Sequence, residues 1–146
     1  MQGSINYFFE EISVFKYGLP PKYWIKSCLA QEGKKVGVLN FIFCSDKYLK
    51  KINQKFLNKT YLTDVISFNT QPPELIKNVP SDLVFGDIFI SVSRVKDNKK
   101  LYKTIFAKEL KRVMIHGALH LIGFNDKTQK ERGEMAKKEN IYIELK

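Results

Sequence analysis

Apolar residues fall along this chain in two rhythms: short unbroken runs, and residues spaced three or four apart. The runs predict strands at residues 5–9 (INYFF), 36–44 (VGVLNFIFC), 64–68 (DVISF) and 85–92 (FGDIFISV). The spaced residues predict helices. One starts at the chain break Leu19-Pro20-Pro21, since proline is tolerated in a first helical turn, and runs to about Gln31 with Trp24, Ile25, Cys28 and Leu29 inward. Gly33-Lys34-Lys35 ends it. Ser45 is placed to cap a second helix through about Lys55, with Tyr48, Leu49, Ile52 and Phe56 on one face. Ser93 is placed to cap a short third. The longest helical pattern is Thr104 to Ile122, with Ile105, Phe106, Leu110, Val113, Met114 and Leu121 at helical spacing; Gly123 is placed to end it in a left-handed turn. A last helix is expected from Thr128 to Glu139, and a proline-rich, mobile loop over about 69–83. Four strands with helices between and after them predict a single α+β or mixed α/β domain over residues 1–146.

Length and composition remove several alternatives. A chain of 146 residues buries enough surface to fold without a disulfide or a structural metal. It has no apolar stretch long enough to span a bilayer, and its N-terminus lacks the basic start of a secretory signal, so a cytoplasmic protein without a membrane partner is expected. Cys28 and Cys44 are far apart, fit no metal spacing and are expected to be buried free thiols. The net charge of +10 favours a polyanionic partner, nucleic acid above all. Lysines cluster at Lys34-Lys35, Lys47 to Lys59 and Lys96 to Lys103, with Tyr48, Phe56, Tyr61 and Tyr102 among them, a composition suited both to a solvated helix face and to stacking and phosphate contact with single-stranded RNA.

The segment His116 to Asp126 (HGALHLIGFND) carries the chemistry. His116 and His120 are four apart on a predicted helix, so they point the same way one turn apart. Two imidazoles so placed can grip one metal ion, and zinc suits their short bonds. Gly123 permits a reversal that brings Asp126 back as a third ligand. The offsets are those of the long zinc-protease signature H-E-x-x-H-x-x-G-x-x-H, with aspartate as the third ligand. That signature uses the glutamate after the first histidine as general base; this chain has Gly117 there, which argues against peptide hydrolysis by that route. Three protein ligands leave a fourth position open, the mark of a catalytic zinc; an iron site of two histidines and a carboxylate ranks lower because the helical spacing matches zinc better. Asp64 and Asp87, at strand ends, are candidates to orient a ligand, although an ordinary bond to local amides is the commoner role for such aspartates.

These residues resemble the YbeY family of metal-dependent endoribonucleases and rRNA maturation factors, whose signature is H-G-x-L-H-L-x-G-Y-D-H. Leu62 to Phe68 (LTDVISF) is similar to the family's P-T-D-V-L-S-F, and Gly86 to Ser91 (GDIFIS) to its G-D-I-x-I-S. The resemblance implies a four-stranded mixed sheet packed by about five helices, with one zinc at the end of the long helix. It also implies single-strand-specific RNA cleavage in small-subunit rRNA maturation and ribosome quality control, with the ribosomal small subunit and assembly factors as partners. Two stretches depart from the pattern. Asp126 stands where the family has histidine, so the loop must come closer, and Asn125 takes the place of the family's aspartate. Leu57 stands where the family has the arginine of N-x-x-Y-R, with Lys55 and Lys59 as the nearest cations. The general base is left unassigned. A second reading is a non-catalytic ribosome-assembly factor that binds RNA and keeps a structural or vestigial metal.

Overall fold

The structure is a computed structural model describing residues 3–58, 63–72 and 82–146. Its strands are β1 (Ser4–Glu10), β2 (Lys35–Cys44), β3 (Val65–Asn69) and β4 (Leu83–Ser91). Its helices are α1 (Lys22–Gln31), α2 (Asp46–Leu57), α3 (Val92–Leu101), α4 (Phe106–Leu121) and α5 (Gln129–Ile143). The strands form one mixed sheet in the order β1-β2-β4-β3. β1 and β4 flank β2 in parallel, and β3 runs antiparallel to β4. The α+β architecture expected from the sequence is thus observed. Much of the proline-rich loop, together with Lys59, Tyr61 and Leu62, lies outside the described residues.

The central strand β2 is buried along most of its length because both of its faces are covered, which is why its sequence is a run rather than an alternation. α1 buries Trp24, Ile25, Cys28 and Leu29 as expected. The Trp24 indole N–H donates to the Tyr142 carbonyl at 2.8 Å and ties the end of α5 to α1. α4 lies across the sheet, and Leu110, Met114, Ile115, Ala118 and Leu119 are fully buried there. A smaller core of Cys44, Leu49 and Ile66 forms under α2. Burial pushes both cysteine thiols up to about 12, as suits inert free thiols. No described helix is long and apolar enough to cross a membrane.

Three details differ from the sequence reading. Ser91, not Ser93, caps α3: its hydroxyl accepts from the Arg94 N–H, so the strand ends one residue before the helix begins. Phe56 is largely exposed at the end of α2, where its ring packs T-shaped against Phe68 and under the Lys55 ammonium, and Asn53 is buried on that helix instead. α5 continues past Glu139 to Ile143 because Tyr142 and Ile143 are buried against the core; the polar run KKEN hid that anchor.

Candidate functional site

The site is assembled by the end of α4 and the turn after it. His116 and His120 project from the last two turns of α4. The helix then closes as a Schellman motif, in which the Phe124 N–H reaches the Leu119 carbonyl at 3.0 Å and the Gly123 N–H reaches that of His120 at 3.1 Å. Gly123 has φ +106, a conformation that side-chain-bearing residues rarely adopt. This reversal carries Asp126 back over the helix end. Thr128 then starts α5 with a capping box, exchanging hydrogen bonds with Glu131. Arg132 on α5 donates to the carbonyls of Asp126 at 3.4 Å and Lys127 at 2.8 Å, which holds the returning loop.

The three residues predicted from sequence converge. Nε2 of His116 and Nε2 of His120 are 3.0 Å apart, and Oδ2 of Asp126 is 3.2 Å from each. Ligands about 2.0–2.1 Å from a tetrahedral zinc are separated by roughly 3.3–3.4 Å, so this triangle is close to one face of such a tetrahedron. The other ring nitrogens fix the tautomers. Nδ1 of His120 lies 3.0 Å from the Phe124 carbonyl, which can only accept, so that nitrogen carries the hydrogen. Nδ1 of His116 donates to Oε2 of Glu139 at 2.7 Å. Both Nε2 lone pairs therefore face each other and a carboxylate oxygen, an arrangement that repels itself unless a cation sits among the three atoms. The donor set fits a metal ion. Burial opposes charge on His116, but the Glu139 hydrogen bond and the Glu139, Asp126 and Asp64 carboxylates outweigh it and hold the ring's pKa above the ordinary imidazole value.

His116 and Asp126 open on a cleft of about 570 Å³ between α3, α4 and α5, lined among others by Asp64, Tyr102, Glu109, Arg112, Arg132 and Glu139. Glu139 is the residue that sequence reasoning missed. It does what Asp64 and Asp87 were candidates to do, orienting a member of the triad, His116. Asp64 instead accepts from Asn98 at 3.2 Å, and Asp87 accepts from Asn40 at 2.9 Å; neither hydrogen-bonds a triad member among the described residues. A signal for Glu139 was present, because it falls at helical spacing between Met135 and Tyr142, on the buried stripe of α5. Glu109 lies the same way on the buried stripe of α4. Of the aromatics named with the lysine-rich clusters, Tyr102 reaches the cleft, and the other two described ones, Tyr48 and Phe56, do not.

Gly117 packs against the sheet. A Cβ there would lie 2.7 Å from Cγ2 of Ile88, and the Ser67 hydroxyl donates to its carbonyl at 3.0 Å. The glycine inside the HxxxH motif is therefore a packing requirement that lets α4 approach β3 and β4 closely.

Comparison with known proteins agrees with this geometry. The family model for Endoribonuclease YbeY matches residues 11–145. An Endoribonuclease YbeY from Karelsulcia muelleri is 46% identical over 143 residues, covering 95% of this chain and 93% of its own. One from Christiangramia forsetii is 41% identical over 144 residues, covering 99% and 95%. The solution structure of TM1509 from Thermotoga maritima superposes with a TM-score of 0.63 at 27% identity, covering 94% of this chain and 87% of that one. With the motif, the fold and the match along nearly the whole chain in agreement, this protein belongs to the YbeY family.

Proposed function

We propose that residues 1–146 form one metal-dependent hydrolase domain, an endoribonuclease that cuts single-stranded RNA in the cytoplasm during small-subunit rRNA maturation and ribosome quality control. The small-subunit rRNA is its substrate, and the ribosomal small subunit with its assembly factors its setting. The observation that carries this reading is the triangle of His116 Nε2, His120 Nε2 and Asp126 Oδ2, with both Nδ1 atoms committed to oxygen acceptors. It is joined by membership of a family whose relatives bear the name Endoribonuclease YbeY.

His116, His120 and Asp126 would hold one zinc ion. Zinc bound there supplies Lewis acidity toward a phosphate oxygen and acidifies water. The protein's own contribution is to fix the donors. Glu139 and the Phe124 carbonyl set ring orientation and tautomer, and Arg132 restrains the loop that carries Asp126. Two neutral imidazoles and one carboxylate leave a dication with a net positive charge, which suits an anionic phosphodiester. The net charge of +10 brings such a substrate to the surface. Gly117 offers no side chain to act as base, and its contact with Ile88 leaves no space for one, which disfavours the metalloprotease reading.

The test is cleavage of single-stranded and duplex RNA by wild type and by Asp126→Ala, with zinc content measured on both. The expected result is about one zinc per chain, weakened in the variant, with cleavage confined to single strands and abolished by a chelator. A cyclic phosphate end on the product would assign attack to the RNA 2′-hydroxyl and rule out direct attack by water. RNA binding that survives Asp126→Ala, with no cleavage by wild type, would refute the enzyme and support the assembly-factor reading.

A further inference from the structure

Arg112 stands one helical turn before His116 on α4 and lines the same cleft. Its guanidinium is held by two buried carboxylates. Nε lies 3.3 Å from Oε1 of Glu109, and Nη1 lies 3.4 Å from Oε1 of Glu139. Nη1 also donates to Oδ1 of Asn140 at 3.2 Å. The second oxygen of Glu139 is the one that accepts from His116, so a single carboxylate fixes both the imidazole at the metal site and the guanidinium beside it. Glu109 is only 2% exposed, and its Oε1 has no aligned hydrogen bond. Buried carboxyl oxygens without one are rare, and the contact this oxygen keeps is with Arg112. These contacts use Nε and Nη1. Nη2, with two N–H donors, makes no hydrogen bond among the described residues, and the side chain is 35% exposed. The cleft's other arginine, Arg132, turns its Nη1 to loop carbonyls rather than to carboxylates.

We propose that Arg112 binds a phosphate of the RNA substrate, acting as the guanidinium clamp of the metal cleft, with Glu109 and Glu139 as its positioning residues. This rests on the reading of the site as an RNA-cleaving centre. The chemistry favours phosphate. A guanidinium presents paired N–H donors in a plane that match two phosphate oxygens, and its charge does not titrate away. A guanidinium already held on two sides loses little freedom when it binds. Its place beside His116 puts it next to the ion that would polarise the same or the adjacent phosphate.

The test compares wild type with Arg112→Gln, Arg112→Lys and Lys108→Gln. Lys108 is on the same helix, outside the cleft and paired with Glu144, so its substitution controls for loss of charge alone. Binding to a single-stranded 2′-O-methyl oligonucleotide is followed by fluorescence anisotropy as salt is raised, cleavage is followed on the unmodified RNA, and zinc content is measured throughout. Arg112→Gln is expected to keep its zinc and to lower the salt slope of binding by about 0.7, which makes the affinity loss between about 50 and 200 mM salt ~2.6-fold smaller. Its kcat/KM is expected to fall about 10²-fold. Arg112→Lys restores the slope but only part of the cleavage, and Lys108→Gln changes neither by a comparable amount. An unchanged slope and kcat/KM in Arg112→Gln at equal zinc content overturns the proposal, as does an equal effect of Lys108→Gln. If Arg112→Gln does not fold or loses zinc, Arg112→Lys decides, and full wild-type kcat/KM there overturns the clamp. If wild type cleaves no RNA, the nuclease reading fails separately, and the salt slope still decides whether Arg112 contacts phosphate.

Discussion

Gly117→Ala should destabilise this protein although it improves helix propensity. Alanine is favoured over glycine in a helix interior by about 1 kcal/mol. Against that, the new methyl would lie 2.7 Å from Ile88 Cγ2, 3.0 Å from Ser67 Oγ and 3.2 Å from Val65 Cγ2. Ile88 is fully buried, so it yields only by shifting its neighbours or the helix, and overpacking of this kind costs about 1–3 kcal/mol. Ser67 yields only by giving up its bond to the Gly117 carbonyl, a further ~1 kcal/mol. The costs win, and a net loss of about 1–3 kcal/mol follows. For a chain of this length each kcal/mol lowers Tm by roughly 2–4 °C. Urea unfolding at constant m-value is the assay. Because the shift would tilt α4 where it presents His116 and His120, zinc competition should also report weaker binding. A double-mutant cycle isolates the cause: in an Ile88→Ala background, which removes Cγ2, Gly117→Ala should cost less than in wild type. A Gly117→Ala protein as stable as wild type, or more so, would refute the packing argument. The same contact bears on chemistry, because a glutamate at this position would drive its carboxylate into the sheet. The protease-type base is sterically excluded here as well as absent.

Other outcomes follow from the geometry. Glu139→Gln should weaken zinc binding about 10–100-fold in a chelator competition, because it removes the carboxylate that orients His116; an unchanged affinity would show that Glu139 is incidental. Gly123→Ala meets no neighbour within 4 Å, so its cost is backbone strain alone, about 1–2 kcal/mol at φ +106, read as a lower Tm with weaker zinc binding; a stabilised variant would contradict this. Burial raises the pKa of Glu109 above its ordinary 4.5, with Arg112 pulling against it and Asp64 and Glu139 adding to it. Below that pH the group is protonated in folded and unfolded chains alike; as pH rises through the raised folded value the unfolded chain releases its proton more readily and stability is lost. Glu109→Gln should therefore match wild type in acid and become the more stable of the two toward neutral pH, and a constant difference across that range in parallel urea titrations would refute the assignment.

What the sequence disclosed follows from how local each signal is. The strands of β2 and β4, the Trp24 face of α1 and the Gly123 stop are written in adjacent residues, and so are the two histidines one turn apart. Asp126 was legible because a glycine-terminated helix reverses within a few residues, and the Schellman bonds of Phe124 and Gly123 are that reversal. The contact of Glu139 with His116 was not legible, since it spans 23 residues and depends on how α5 crosses α4, a packing angle that no local pattern encodes. The same is true of Arg112, whose carboxylate partners are Glu109 on its own helix and Glu139 on another. Both carboxylates did leave a trace, as acids on apolar helical stripes, where charge is costly unless it is paired. That trace separates them from the surface acids of this chain without any knowledge of the fold. It also explains why the candidate metal ligands and their supporting groups were not equally visible. A metal needs its ligands close together, and the chain supplies them from one helix end, whereas the residues that hold those ligands in place must come from outside that helix, because its own turns are already occupied in presenting them.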